Sequence, residues 1–129
     1  MIEITRRRID VPGVVDSVRR DDAGAVVLFL GSVRAEPDLG ALDYEVYVPM
    51  AEKVLGELVE RARAKFHILE MSIVHRLGRV PVGGDSVAIA CSAAHRREAF
   101  DACAWAMDEV KRIVPIWKSE PPRNVRRSR

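Results

Sequence analysis

Hydrophobic and polar positions change period several times along the chain, and each change marks an element. Ile2 and Ile4 alternate with charged neighbours through Ile9, which predicts an edge strand over 2–9. Pro12 suits the first turn of a short helix ending near Arg20, and Asp21–Gly24 reads as a turn. The run AVVLFLGSV that follows is apolar almost without break, as expected of a strand buried on both faces. It delivers Arg34 just past its end, before a loop over 35–40; Leu42–Val48 resumes an extended pattern and is expected to pair with it. Pro49 opens an amphipathic helix whose stripe is Ala51, Val54, Leu55, Leu58, Ala62 and Phe66, with Glu57 and Arg61 spaced to pair on the wet side. Leu69, Met71 and Ile73 return to strand alternation, and Gly83–Gly84 marks a tight turn. Ser86–Ser92 is another strand, with Val87, Ile89 and Cys91 on one side. A last helix begins near His95, and Pro115 stops it by forcing Val114 toward extended geometry; a short strand follows. Strands, helix, strands, helix and strand in that order predict an α+β fold with a mostly antiparallel sheet and two main amphipathic helices.

At 129 residues the chain is expected to be one domain, residues 1–129, with a basic and proline-rich tail over 121–129. Apolar residues at 48% and charged residues at 31% are ordinary for a globular protein, and no apolar run approaches the roughly 20 residues of a membrane helix. The opening MIEITRRRID has no apolar stretch behind its charges, so it is not read as a secretory signal. Cys91 and Cys103 fit neither a disulfide framework nor a zinc site. A cytoplasmic protein with no metal and no cofactor of its own is the expectation.

The net charge of +2 is small, but arginines crowd both ends: Arg6–Arg8, and Arg123, Arg126, Arg127 and Arg129. Such runs are commonly solvated faces. Nucleic-acid binding would need a motif or a stacking platform, and two Trp, two Tyr and three Phe equip one thinly. A small anionic ligand is the more attractive partner. The last helix places Arg96, Phe100, Cys103, Met107, Lys111 and Val114 at steps of three or four, so Lys111 lies in line with an apolar stripe. Such a lysine either snorkels to water or, if desolvated, becomes a usable acid or base. Beyond the corner at Pro115, Lys118 can turn toward the same cleft. His95 and Arg96 stand at the helix start, where free backbone N–H groups favour anions. Arg34 adds a cation at a strand end. Together they suggest a phosphate-bearing substrate.

At these residues the chain resembles the large, catalytic subunit of molybdopterin synthase. GSVR at Gly31–Arg34, YEVYVPMAEK at Tyr44–Lys53, VHRLGRVPVGGDSV at Val74–Val87, the His95–Arg96 pair with Ala99–Phe100, Lys111, and VPIWK at Val114–Lys118 occur in the family's order. The resemblance runs from Gly24 to Glu120 and implies an α/β hammerhead fold. It implies sulfur transfer from the Gly-Gly thiocarboxylate of a small ubiquitin-like carrier to cyclic pyranopterin monophosphate, forming the dithiolene of molybdopterin. Two large subunits would form a central homodimer, each binding one carrier, in a heterotetramer. The carrier tail would thread into a pocket and reach Lys111. Carried over as substrate-binding are Ser32, Val33, Arg34, His95, Arg96, Lys111, Lys118, Ser119 and Glu120; as catalytic, Lys111 and Lys118; as pocket-lining, Phe29 and Met107.

Two features depart from the family. The loop after Arg34 is short, and so is the tail, from which Arg123, Arg126 or Arg127 would have to supply any arginine entering a neighbouring subunit's pocket. The cysteines tempt as sulfur relays, but their spacing faces the core and the carrier already brings the sulfur. The alternatives are a carrier-binding module without synthase activity, and a small basic nucleic-acid-binding protein.

Overall fold

The computed structural model describes residues 1–120; the tail and its arginines lie outside the described residues. The elements are β1 (Ile2–Thr5), α1 (Val11–Val18), β2 (Ala25–Ser32), β3 (Ala41–Val46), α2 (Val48–Phe66), β4 (Glu70–Arg76), β5 (Gly78–Pro81), β6 (Asp85–Ala93), α3 (Arg96–Ile113) and β7 (Ile116–Ser119). They build a four-stranded sheet in the order β1-β4-β6-β2 and a three-stranded sheet in the order β5-β3-β7. Only β1–β4 is parallel among these pairs, so the α+β, mostly antiparallel reading holds.

The large sheet is covered on both faces. From β6, Val87, Ile89, Cys91 and Ala93 pack with Met71 and Ile73 against α2 and α3. Ala88 and Ala90, with Val74 of β4, face Val14 and Val18 of α1. The Asp10 side chain caps α1 by accepting from the Gly13 N–H at 3.2 Å, as a helix start favours. Along α2 the predicted stripe is the one that packs: Ala51, Leu55, Leu58 and Ala62 are buried, with Val54 and Phe66 against the same core. Arg63 closes the turn after α2, donating to the Leu69 carbonyl and to Glu70 Oε2 at 3.0 Å.

Four expectations need correction. β1 ends at Thr5, so Arg6–Arg8 are not strand. β2 is an edge strand, and its residues all keep some exposure; the doubly buried strands are β4 and β6. β3 does not pair with β2 but lies in the second sheet between β5 and β7. Arg61 does not serve Glu57: it reaches across to Glu109 of α3 at 3.5 Å and stacks over the Trp105 ring at 5.1 Å.

The last helix also differs in rotation. Its buried face is Ala99, Ala102, Cys103, Ala106 and Val110, while Phe100 and Lys111 are exposed. Small side chains let α3 settle close on β6 and β2, which swings the larger Phe100 and Met107 to the flank. Lys111 therefore sits beside the core stripe rather than on it.

Candidate functional site

A cleft of about 940 Å³ opens where the two sheets meet the C-terminal end of α3. That is within the range of small-molecule sites, roughly 300–1,000 Å³. The end of β2 gives it Phe29 to Ser32, and the chain just beyond gives Val33 and Arg34. From α3 come Met107, Val110 and Lys111; from the return strand β7, Ile116, Lys118 and Ser119, with Glu120 just after it. Leu42 and Tyr44 of β3 and His75 of β4 complete the floor.

Local chemistry sets each wall. The Gly83–Gly84 turn grips the end of β2: the Val33 N–H donates to the Gly84 carbonyl at 2.9 Å and the Gly83 N–H to the Val33 carbonyl at 2.8 Å. Gly83 stands at φ 83°, a conformation that glycine adopts without strain. Val33 is thereby buried and Arg34 thrown outward beside it. Ser32 donates its hydroxyl to Asp85 Oδ1 at 2.9 Å across the bulge in the β2–β6 pair. Pro115 ends α3, and β7 then runs back along β3 with Lys118 directly opposite Tyr44.

The cleft carries the cations Arg34, Lys111 and Lys118, and the carboxylates Glu36 and Glu120. Arg34 and Glu36 form an ion pair at 3.6 Å, both largely exposed. His75 is buried, and its Nδ1 is 2.9 Å from the Arg76 carbonyl oxygen. Burial holds its pKa below the ordinary 6.5, opposed by that hydrogen bond. Its ring meets Tyr44 edge-on, centroids 5.4 Å apart. Among the described residues no group of three or more His, Cys, Asp and Glu side chains gathers as a metal site. An open, mixed-polarity cleft with three exposed cations can hold an anionic substrate and stabilise negative charge that develops on it.

Residues 4–113 match the profile of the family described as MoaE protein. The chain is 43% identical over 122 residues to the molybdopterin synthase catalytic subunit of Thermoplasma volcanium, covering 92% of this chain and 89% of that one. The chain belongs to the MoaE family. Its fold superposes with a TM-score of 0.90 on molybdopterin synthase from Staphylococcus aureus, at 36% identity over 95% of this chain and 91% of that one. It also matches a chain in the complex of subunits 1 and 2 of molybdopterin-converting factor from Helicobacter pylori, with a TM-score of 0.79 over 92% of this chain and 83% of that one; at 20% identity this is a likeness of fold.

In this MoaE-family chain the residues expected at the site fall into two places. Phe29, Ser32, Val33, Arg34, Met107, Lys111, Lys118, Ser119 and Glu120 all line the cleft. His95 and Arg96 do not. They begin α3 while Lys111 is near its end, and at ~1.5 Å per residue the helix separates Arg96 from Lys111 by roughly 22 Å. His95 is exposed and makes no capping hydrogen bond with its side chain. The cysteines lie in the core away from the cleft; hydrogen bonding to the Cys103 sulfur, then burial, pushes the Cys91 thiol up. The cleft also takes in His75 and Tyr44, which stand in the family motifs but were not expected at the site, and Glu36. The signal for His75 was available, as a histidine directly after the apolar pair Ile73–Val74 in β4.

Proposed function

We propose that this chain is the catalytic subunit of a molybdopterin synthase. It transfers sulfur from the C-terminal thiocarboxylate of a small ubiquitin-like carrier to cyclic pyranopterin monophosphate, forming the dithiolene of molybdopterin. The observation that carries the reading is the convergence of Arg34, Lys111 and Lys118 from three separate segments on one cleft of substrate size. Both reactants are anions, so the same cations serve to bind them and to offset charge that develops as the thiocarboxylate sulfur attacks the pterin side chain. Lys111, on the flank of α3 facing the cleft, assists that attack by proton transfer or as a fixed charge. Lys118 binds the phosphate or shares the acid role, and Ser32, Val33, Ser119 and Glu120 complete the substrate contacts.

The protein acts in the cytoplasm as a homodimer at the centre of a heterotetramer with two carriers. Exposed Tyr47, Met50, Phe100 and Trp117 supply apolar surface for such contacts. His95 and Arg96, too far from Lys111 within one chain, bind substrate from the second copy. The test is reconstitution: the chain, thiocarboxylated carrier and cyclic pyranopterin monophosphate are expected to yield molybdopterin, and a carrier ending in an ordinary carboxylate none. No product from the thiocarboxylated carrier overturns the reading.

A further inference from the structure

Two side chains at the floor of the cleft have no part in the mechanism above, and they touch each other. His75 is 5% exposed and stands next to last in β4. Its Nδ1 is 2.9 Å from the Arg76 carbonyl oxygen. A carbonyl oxygen only accepts, so Nδ1 carries the proton and the ring is held in one orientation. That ring meets Tyr44 with centroids 5.4 Å apart and planes at 65°, the edge-to-face geometry that aromatic quadrupoles favour. β4 belongs to the four-stranded sheet and β3 to the three-stranded one, so the contact crosses the junction between the sheets.

Tyr44 is in turn the cross-strand partner of Lys118. Directly opposed residues share a face, with Cβ atoms ~4.5–5.5 Å apart, which sets the tyrosine ring beside the root of the lysine stem. The support matters because Lys118 is exposed on β7, a strand of four residues at the edge of its sheet. A lysine side chain has four rotatable bonds and loses freedom when it is held in one place. A ring fixed from below limits where its ammonium can stand. His75, Tyr44 and Lys118 all line the same cleft.

We propose that His75 is a positioning residue that acts through Tyr44 on Lys118, holding the phenol ring so that the ring holds the lysine stem. The proposal rests on the reading of Lys118 as a substrate contact. It requires ring against ring, so aromatic replacements preserve the function and aliphatic ones do not.

A double-mutant cycle tests it, with kcat and KM for the cyclic phosphate measured in the reconstituted reaction and thermal unfolding followed alongside. His75→Leu is expected to lower kcat/KM about tenfold, a size of coupling found between residues linked through a shared partner. In the Lys118→Met background the same change is expected to cost nothing further. His75→Phe is expected to restore most of the loss, and Tyr44→Phe to stay within about threefold of the parent, because each keeps the ring contact. A His75→Leu loss of equal size with and without Lys118 overturns the proposal. If His75→Leu does not fold, the two phenylalanine variants decide: a large loss in either contradicts a role carried by the rings. Lys118→Met at full activity defeats the reading of the cleft itself, and this proposal with it; additivity beside an impaired Lys118→Met defeats the proposal alone.

Discussion

Arg34 and Glu36 make opposite predictions from one contact. Arg34 is the cation at the end of β2, and its exposed ion pair with Glu36 at 3.6 Å occupies the guanidinium that the substrate's phosphate would use. Exposed pairs of this kind contribute about 0–1 kcal/mol, so Glu36→Gln is expected to tighten substrate binding by no more than ~5-fold. A charge-assisted hydrogen bond to the phosphate contributes roughly 1.5–3 kcal/mol, so Arg34→Ala is expected to weaken binding by roughly 10- to 150-fold. Both sites are exposed, so melting temperatures should scarcely move. Calorimetric titration with cyclic pyranopterin monophosphate at low and moderate salt reads all of this, and the Glu36→Gln gain should shrink as salt screens the pair. Unchanged affinity in Arg34→Ala, or weaker binding in Glu36→Gln, refutes the reading of Arg34 as one of the cations that bind the anionic substrate.

Lys111→Ala is expected to remove nearly all product formation while leaving unfolding and carrier binding close to normal, since the side chain is exposed; Lys118→Ala should be impaired less. Lys111→Arg should also fail if the lysine moves a proton, because arginine stays charged, and activity in that variant would assign Lys111 an electrostatic role only. Mixing Lys111→Ala and Arg96→Ala chains, at a substrate level where each alone turns over little, should recover roughly a quarter of parent turnover through mixed dimers with one intact site; no recovery contradicts a site shared between copies. Stability is expected to fall as pH drops below about 6.5, because burial depresses the His75 pKa and the unfolded state then binds the extra proton. His75→Phe should flatten that part of the urea-midpoint profile, whereas the Glu70 carboxylate, held below its ordinary 4.5 by Arg63, acts only in more acid solution.

Long helices were the most legible elements. The 3.6-residue stripe of α2 is the stripe that packs, because Leu55 and Leu58 anchor it and its opposite face is charged. In α3 the same reasoning followed Phe100 and Met107 and missed Ala99, Ala102 and Ala106, since burial there goes to the residues small enough to let the helix approach the sheet. β2 looked doubly buried because its sequence is apolar on both faces; both faces do pack, but only partly, because β2 lies at an edge that composition does not reveal. The loop after Arg34 is short enough for a hairpin, yet it carries the chain into a different sheet, a choice made by β3 pairing with β5 and β7. Arg34, Lys111 and Lys118 were readable from family motifs, whereas the floor residues His75 and Tyr44 meet only through strand register and the junction of two sheets. The distance between Arg96 and Lys111 was implicit in the helix itself, at ~1.5 Å per residue.

Sulfur transfer within the cleft is most directly tested by a single-turnover reaction in which the carrier's C-terminus is followed by mass spectrometry and the pterin product is quantified. The parent chain is expected to consume two thiocarboxylates for each molybdopterin formed, and Lys111→Ala, saturated with carrier and substrate, to consume none above background. Full consumption and product formation by Lys111→Ala would contradict the account.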